Sequence, residues 1–188
     1  AAFDDLKPEL STSIEFGTEW KFFNYRLDFD FTFYRTMTKN QLLRMPSSAG
    51  ADYKYYYVNA GKIRNQGVEM TLGITPILND VFRWKTAFNF SANSNKVVEL
   101  HPDLKSFAYG DEGFSAGYMM RIVEGGSLGD IYGNKFVRDD KGAIKLDPEN
   151  ADKPLVTSGN NDKVGNSSPK ALLGWSNTFT YKGLTLYF

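Results

Sequence analysis

Two carboxylates two residues apart on an extended chain project to the same side, about 6.8 Å from one another. That is a separation at which one acid can protonate a glycosidic oxygen while the other activates a water. Asp28 and Asp30 stand at this spacing in YRLDFDFTFY, and Glu15 and Glu19 share a face in IEFGTEW. Arg26 and Lys21 lie on the same surface. Mixed-charge decoration of a wetted sheet face is therefore the simpler reading, and no catalytic residue is assigned. His101, the only histidine, stands in ELHPDLK without the Ser and Asp arrangement of a nucleophilic triad. Asp139, Asp140, Asp147, Glu149 and Asp152 crowd into RDDKGAIKLDPENADK but lack the oxygen spacing of an EF-hand, so DDKG reads as a surface turn and no metal is expected. The glycine-bearing stretches GDEGFSAG (110–117) and EGGSLGDIYG have neither the lysine of a phosphate loop nor a strand-to-helix setting, and no cofactor is expected. What remains is aromatic. Tyr53, Tyr55, Tyr57, Phe107, Tyr109 and Tyr118 are the candidate ligand-binding residues, with Tyr56 and Phe114 beside them, able to stack on sugar rings or to pack against a lid protein. Residues 55–57 would serve equally as an aromatic belt.

The elements that must position these residues are strands. Ile14, Phe16, Trp20 and Phe22 alternate with Glu15, Gly17, Glu19 and Lys21. Tyr25, Leu27, Phe29, Phe31 and Phe33 then alternate with Arg26, Asp28, Asp30, Thr32 and Tyr34 across a tight turn at Phe23 and Asn24. Setting Phe22 opposite Tyr25 puts all the apolar groups on one surface. The pattern predicts six antiparallel strands near 10–23, 25–35, 66–75, 84–94, 171–181 and 184–188, in an all-β meander, with long connections at 36–64 and 95–169. The second connection far exceeds the 12 to 15 residues usual in a compact domain, so something besides chain economy maintains it. On this scheme Asp28, Asp30, Glu69 and Asn89 face away from the apolar surface.

Composition narrows the class. Aromatics make up 15% of 188 residues, with 17 glycines, which favours strands. The 22 basic and 22 acidic residues balance, so nucleic acid is not an expected partner, and the absence of cysteine removes disulfides and thiolate chemistry. No apolar run is long enough for a membrane-crossing helix, which leaves a transmembrane barrel open. Short and long connections alternate, and the short turns carry aromatics (Trp20, Phe22, Phe23 and Tyr25; Phe82 and Trp84; Phe179 and Tyr181), as in a barrel with tight turns on one side and extended loops on the other. Six strands cannot close around a pore, so the chain reads as a segment of a larger barrel. Its C-terminus, early in a fresh strand, reads as a truncation.

In order, LKPELSTSIEFGTEW (6–20), NAGKIRNQGVEMTL (59–72), WKTAFNFSANSNKVVEL (84–100), VEGGSLGDIYGNKFVRDDKGAIKLD (123–147) and VGNSSPKALLGWSNTFTYKGLTL (164–186) resemble the barrel of SusC/RagA-type TonB-dependent outer-membrane transporters across residues 1–188. The resemblance implies energised import of oligosaccharides or peptides across the bacterial outer membrane, by contact with lipid on one face, with a SusD-like surface lipoprotein as lid and a TonB complex as partner. It implies binding and passage rather than bond chemistry. No plug domain or TonB box is expected within these residues. The different-class alternative is a soluble all-β carbohydrate-binding module of lectin type, and a third is a β-rich glycosidase. In the barrel reading Asn59, Gly61, Asn65 and Gly67 form the descent from a loop to the rim, and Glu69 points into a wet lumen.

Overall fold

The computed structural model describes residues 6–47, 50, 52, 55–59, 61–100, 105–109, 117–159 and 161–188, without the side chains of residues 45, 46 and 109. Among these the chain forms strands and no helix. In chain order they are β1 (Leu10–Phe22), β2 (Leu27–Lys39), β3 (Leu42–Pro46), β4 (Tyr55–Asn59), β5 (Lys62–Leu78), β6 (Phe82–Glu99), β7 (Ser106–Tyr109), β8 (Tyr118–Val123), β9 (Asp130–Gly133), β10 (Leu146–Asp147), β11 (Asn150–Pro154), β12 (Asp162–Asn166), β13 (Leu172–Tyr181) and β14 (Leu184–Tyr187). The chain divides into two compact units.

One unit (Ser11–Met37, Arg64–Asn95, Pro169–Phe188) holds the body of a six-stranded meander in the order β1-β2-β5-β6-β13-β14, the expected all-β architecture. β6 and β13 run antiparallel, with Trp84 opposite Phe179 and Phe88 opposite Trp175, and β13 pairs with β14. The Trp84 and Phe179 rings stack at 5.7 Å, and those of Phe88 and Trp175 at 6.0 Å. Such offset contacts add to the area they cover. Yet the outer side of this apolar surface stays bare. Phe16 is 62% exposed, Trp175 63% and Leu184 74%.

The first turn is wider than alternation predicts. Phe23, Asn24, Tyr25 and Arg26 form it, the first three at φ between 52° and 63°, and the Arg26 N–H donates to the Phe22 carbonyl at 3.1 Å. Tyr25 is therefore in the turn rather than opposite Phe22. The hydroxyls of Ser13 and Thr36 meet at 2.9 Å, which shifts the expected pairing by two residues. A shift of two preserves every face assignment, because side chains alternate with period two.

The other unit (Ala1–Leu10, Thr38–Ile63, Lys96–Ser168) explains the two long connections. They are not loose. The first contains the β3–β4 hairpin, and the second a four-stranded sheet in the order β12-β9-β8-β7 and a smaller β10–β11 hairpin. Leu43, Val97, Leu100, Phe107 and Ile122 form a common core here, with Tyr56, Val58 and Leu128 against it. An independent core is what a segment of this length needs in order to hold a shape. The N–H of Leu100 and then the Lys105 ammonium bond the Glu124 carboxylate and hold its pKa below the ordinary glutamate value.

The stretch predicted as an irregular descent is strand from Lys62 onward. Its glycines mark close approaches. Gly61 has φ +85°, and a Cβ there would overlap the carbonyl oxygen of Glu99. At Gly67 a Cβ would lie 2.6 Å from both the Ala92 carbonyl oxygen and the Tyr34 hydroxyl, because the Tyr34 ring crosses the strand at that point.

Candidate functional site

The polar side of the meander is built from alternate residues of its strands. Thr71 donates to Asn89 Oδ1 at 3.0 Å, and Asn95 Nδ2 donates to Asn65 Oδ1 at 2.8 Å, tying β5 to β6. Lys85 lies 4.0 Å from Asp28, a half-exposed pair of the kind that contributes little in water. Glu69 and Asn89 are exposed and, with Thr71, Ser91 and Gly174, border a recess of ≈ 440 Å³. Asp30 is exposed on the same parity of β2 as Asp28. This wall offers hydrogen bonds and mixed charge. It offers no nucleophile beside a base.

The apolar side contains a polar pair that alternation skips over. Thr86 and Asn177 oppose each other across β6 and β13, 7% and 2% exposed, amid Trp84, Phe88, Trp175 and Phe179. The Trp84 indole N–H donates to Asn177 Oδ1 at 3.0 Å, and that of Trp175 to Thr86 Oγ at 2.9 Å. Thr86 Oγ in turn donates to the Ser176 carbonyl at 3.2 Å. An indole N–H lying against an apolar surface needs an acceptor, and these two residues supply it here. Thr86→Val keeps the shape and removes the acceptor. It is expected to cost about 1 to 3 kcal/mol and to lower the thermal midpoint of the full-length protein, with Ser176→Ala near neutral as the control.

The candidate aromatics separate into distinct environments. On β4, Tyr56 and Val58 turn toward the core, and Tyr55 and Tyr57 alternate with them. Arg44 of β3 pairs with Tyr57 in register, and its guanidinium lies 4.4 Å from the Tyr55 ring centroid. The hairpin thus presents an Arg44, Tyr55 and Tyr57 cluster, with Tyr57 47% exposed. Tyr118 is 50% exposed at the start of β8. Phe107 is not a surface aromatic: at 7% exposed it is part of the core, so its ring face is covered by Leu43, Leu100 and Ile122 rather than offered to a ligand. Tyr53, Phe114 and His101 lie outside the described residues, as does the side chain of Tyr109. Composition alone missed Arg44, and also Arg121, whose guanidinium lies 5.5 Å from the Tyr132 ring centroid and donates to Asn161 Oδ1 at 3.1 Å. In both, a cation on one strand meets a tyrosine of the strand paired with it, which only the register reveals.

The acidic run forms turns. Asp139 Oδ1 accepts the N–H groups of Lys141 and Ala143, each at 2.9 Å, and Asp147 Oδ1 accepts that of Glu149 at 2.9 Å. Among the described residues no three His, Asp or Glu side chains converge as a metal site would require.

The profile of the "TonB dependent receptor-like, beta-barrel" family matches residues 2–167. The chain belongs to that family. This receptor segment is 32% identical over 143 residues to TonB-dependent receptor P3 of Formosa agariphila, an alignment covering 72% of the chain and 14% of that protein. It is 26% identical over 98 residues to TonB-dependent receptor SusC of Bacteroides thetaiotaomicron, covering 52% of the chain and 10% of SusC. The solved RagAB peptide transporter superposes on 95% of the segment, and on 20% of its own chain, with a TM-score of 0.73 at 22% identity, a likeness of fold. The segment spans between a tenth and a fifth of the length of these relatives. The family comprises receptors and transporters rather than enzymes.

Proposed function

We propose that the chain is a stretch of wall and extracellular surface from an outer-membrane importer that takes up oligosaccharides or peptides by TonB-coupled transport, with a SusD-like lipoprotein as its lid. The observation that carries this reading is the two-faced meander. One parity exposes Phe16, Trp20, Leu173 and Trp175, and the other carries Glu15, Asp28, Glu69 and Lys85. A soluble sandwich would bury the first surface against a second sheet, whereas a bilayer leaves it bare in just this way. Glu69, Asp28, Asp30 and Asn89 then line the lumen. Of the two cargo classes, peptides are what the RagAB transporter, alike in fold, carries.

Cargo contact falls to tyrosines of the strand-built connections: half-buried Tyr55 and exposed Tyr57 and Tyr118. Tyrosine gives a broad rigid face with a polar tip, which suits a sugar ring or a peptide side chain. Combining Tyr55→Ala with Tyr57→Ala in the full-length protein is expected to weaken cargo binding about tenfold, as two partly exposed aromatic contacts would. Binding is measured by titration of the purified receptor with labelled peptides and oligosaccharides, and uptake by cells with and without an intact TonB complex. Uptake that persists without TonB would overturn the reading, as would a full-length protein that stays monomeric in solution without detergent.

A further inference from the structure

The polar side of the meander carries two ordered rows of side chains across β5, β6 and β13. Leu172 lies opposite Ser91 and Gly174 opposite Asn89 in the pairing of β13 with β6. The bonds from Thr71 to Asn89 and from Asn95 to Asn65 fix the register of β5 on β6, which sets Glu69 beside Ser91. Glu69, Ser91 and Leu172 thus form one row, and Thr71, Asn89 and Gly174 the other, about 7 Å away along the strands. All six residues belong to the unit of the meander and line its ≈ 440 Å³ recess.

Each row leaves a group unused. Among the described residues the Glu69 carboxylate has no ion-pair partner, and Lys85, on the same side of β6, lies 4.0 Å from Asp28 instead. Asn89 commits its Oδ1 to Thr71, while among the described residues its Nδ2 donates to nothing. That nitrogen stands beside Gly174, where a Cβ would come within 3.7 Å of it, so the absent side chain leaves its approach open. Leu172 is 59% exposed on a side that is otherwise polar. An open carboxylate, an open amide N–H and a bare aliphatic group therefore stand together in one hollow.

We propose that this recess is a cargo subsite for the amino-terminal end of a peptide. Glu69 takes the terminal ammonium, Asn89 Nδ2 donates to the first peptide carbonyl, and Leu172 lies against an apolar side chain. The proposal rests on the importer reading above and narrows its cargo. Neighbouring strands stand about 4.8 Å apart, so Glu69 and Leu172 are about 10 Å from one another. Two extended residues, at about 3.5 Å each, cover that span with their side chains. An ammonium on an open carboxylate makes a charge-assisted hydrogen bond, stronger than a neutral hydroxyl makes in its place. A sugar ring is gripped by an aromatic face, and the ring bordering this recess, Phe90, stands at the apolar parity of β6.

The test is titration of the full-length receptor in detergent with the labelled tetrapeptide leucyl-trialanine, with the same peptide acetylated at its N-terminus, and with a neutral glucose tetramer. The free peptide should bind about tenfold tighter than the acetylated one, the worth of one charge-assisted hydrogen bond on a wetted wall. Glu69→Gln should bring the two forms to equal affinity, while Glu15→Gln, a carboxylate on the same side of β1, should keep the parent's ratio. Gly174→Val covers the Asn89 amide and should weaken both forms about tenfold. Its Cβ makes only ordinary contact, so the strand keeps its place. Absent or equal binding of the two peptide forms by the parent overturns the proposal, and the importer reading stands if uptake still requires TonB. A ratio lost as fully in Glu15→Gln as in Glu69→Gln also overturns it, in favour of the general charge of the wall. A glucose tetramer that binds tighter than the free peptide and is weakened by Glu69→Gln overturns it in favour of a sugar site. Uptake that persists without TonB removes the importer reading and the proposal with it.

Discussion

Replacing Gly61 by valine is expected to destabilise the receptor more than any other single change at its surface, by about 3 to 5 kcal/mol. Two costs combine. A non-glycine residue held at φ +85° carries about 1 to 2 kcal/mol of backbone strain, and more when β-branched. The added Cβ also overlaps the Glu99 carbonyl, so the chains must part there and give up ladder hydrogen bonds worth about 1 kcal/mol each. Gly61→Ala should cost somewhat less, because the overlap remains but the branch does not. The check is the temperature at which the full-length barrel loses its compact, heat-resistant migration in detergent gels, scored beside Gly142→Ala. Gly142 also has positive φ, but it meets nothing within 4 Å, so its variant isolates the strain from the overlap. If both variants lose the same amount, the close approach at Glu99 carries no weight.

Gly61 also illustrates what could be read from the chain. Its loop setting, between Asn59 and the alternation that follows, was legible as a special position, but its partner was not. Glu99 is 38 residues away, and only the β5–β6 register brings its carbonyl to that spot. Strands, faces and meander order were legible because period-two alternation is a local property repeated many times. The turn at residues 23–26 was misjudged by two residues because a pairing shift of two leaves the alternation unchanged. The internal folding of the long connections was harder to read. β7, β9, β10 and β12 are two to five residues long, too short for a periodic signal, and their core draws Leu43, Phe107 and Ile122 from distant places.

The skipped positions carry the more general lesson. Thr86 and Asn177 interrupt two otherwise apolar parities, and each reads singly as a defect in its strand. Opposed across the sheet, they become acceptors for the two indoles beside them. Phe107 shows the converse. An aromatic in a polar, glycine-rich connection looks like a binding residue until that connection proves to have a core of its own.

A second large effect is expected at Asp130. Its carboxylate is 1% exposed and accepts the Ser127 N–H at 3.0 Å, Asn166 Nδ2 at 2.7 Å and the Lys163 ammonium at 2.7 Å. Asn166 faces Asp130 across the β9–β12 pair, so one side chain closes the SLGD turn and fastens the last strand of the four-stranded sheet. Burial by itself pushes the carboxyl pKa up. The Lys163, Ser127 and Asn166 bonds outweigh it and hold the group below the ordinary aspartate value. Because the folded-state value is depressed, the stabilisation is complete above the unfolded value of about 4 and fades as pH falls through the lower, folded one. Asp130→Ala leaves the Ser127 N–H and Asn166 Nδ2 without their acceptor, frees a half-exposed Lys163 to return to water, and should cost about 3 to 5 kcal/mol locally. Lys163→Met should cost less, about 1 to 3 kcal/mol, since the buried Asp130 carboxylate loses its cation but keeps the Ser127 N–H and Asn166 Nδ2. The readout is amide hydrogen exchange over 127–133 and 162–167 in the full-length protein. Protection there should stay level from about pH 7 to pH 5, drop below about pH 4, and in Asp130→Asn start lower and lose most of its pH dependence. Protection in Asp130→Ala equal to that of the parent would mean that the β9–β12 pairing holds this turn without its carboxylate.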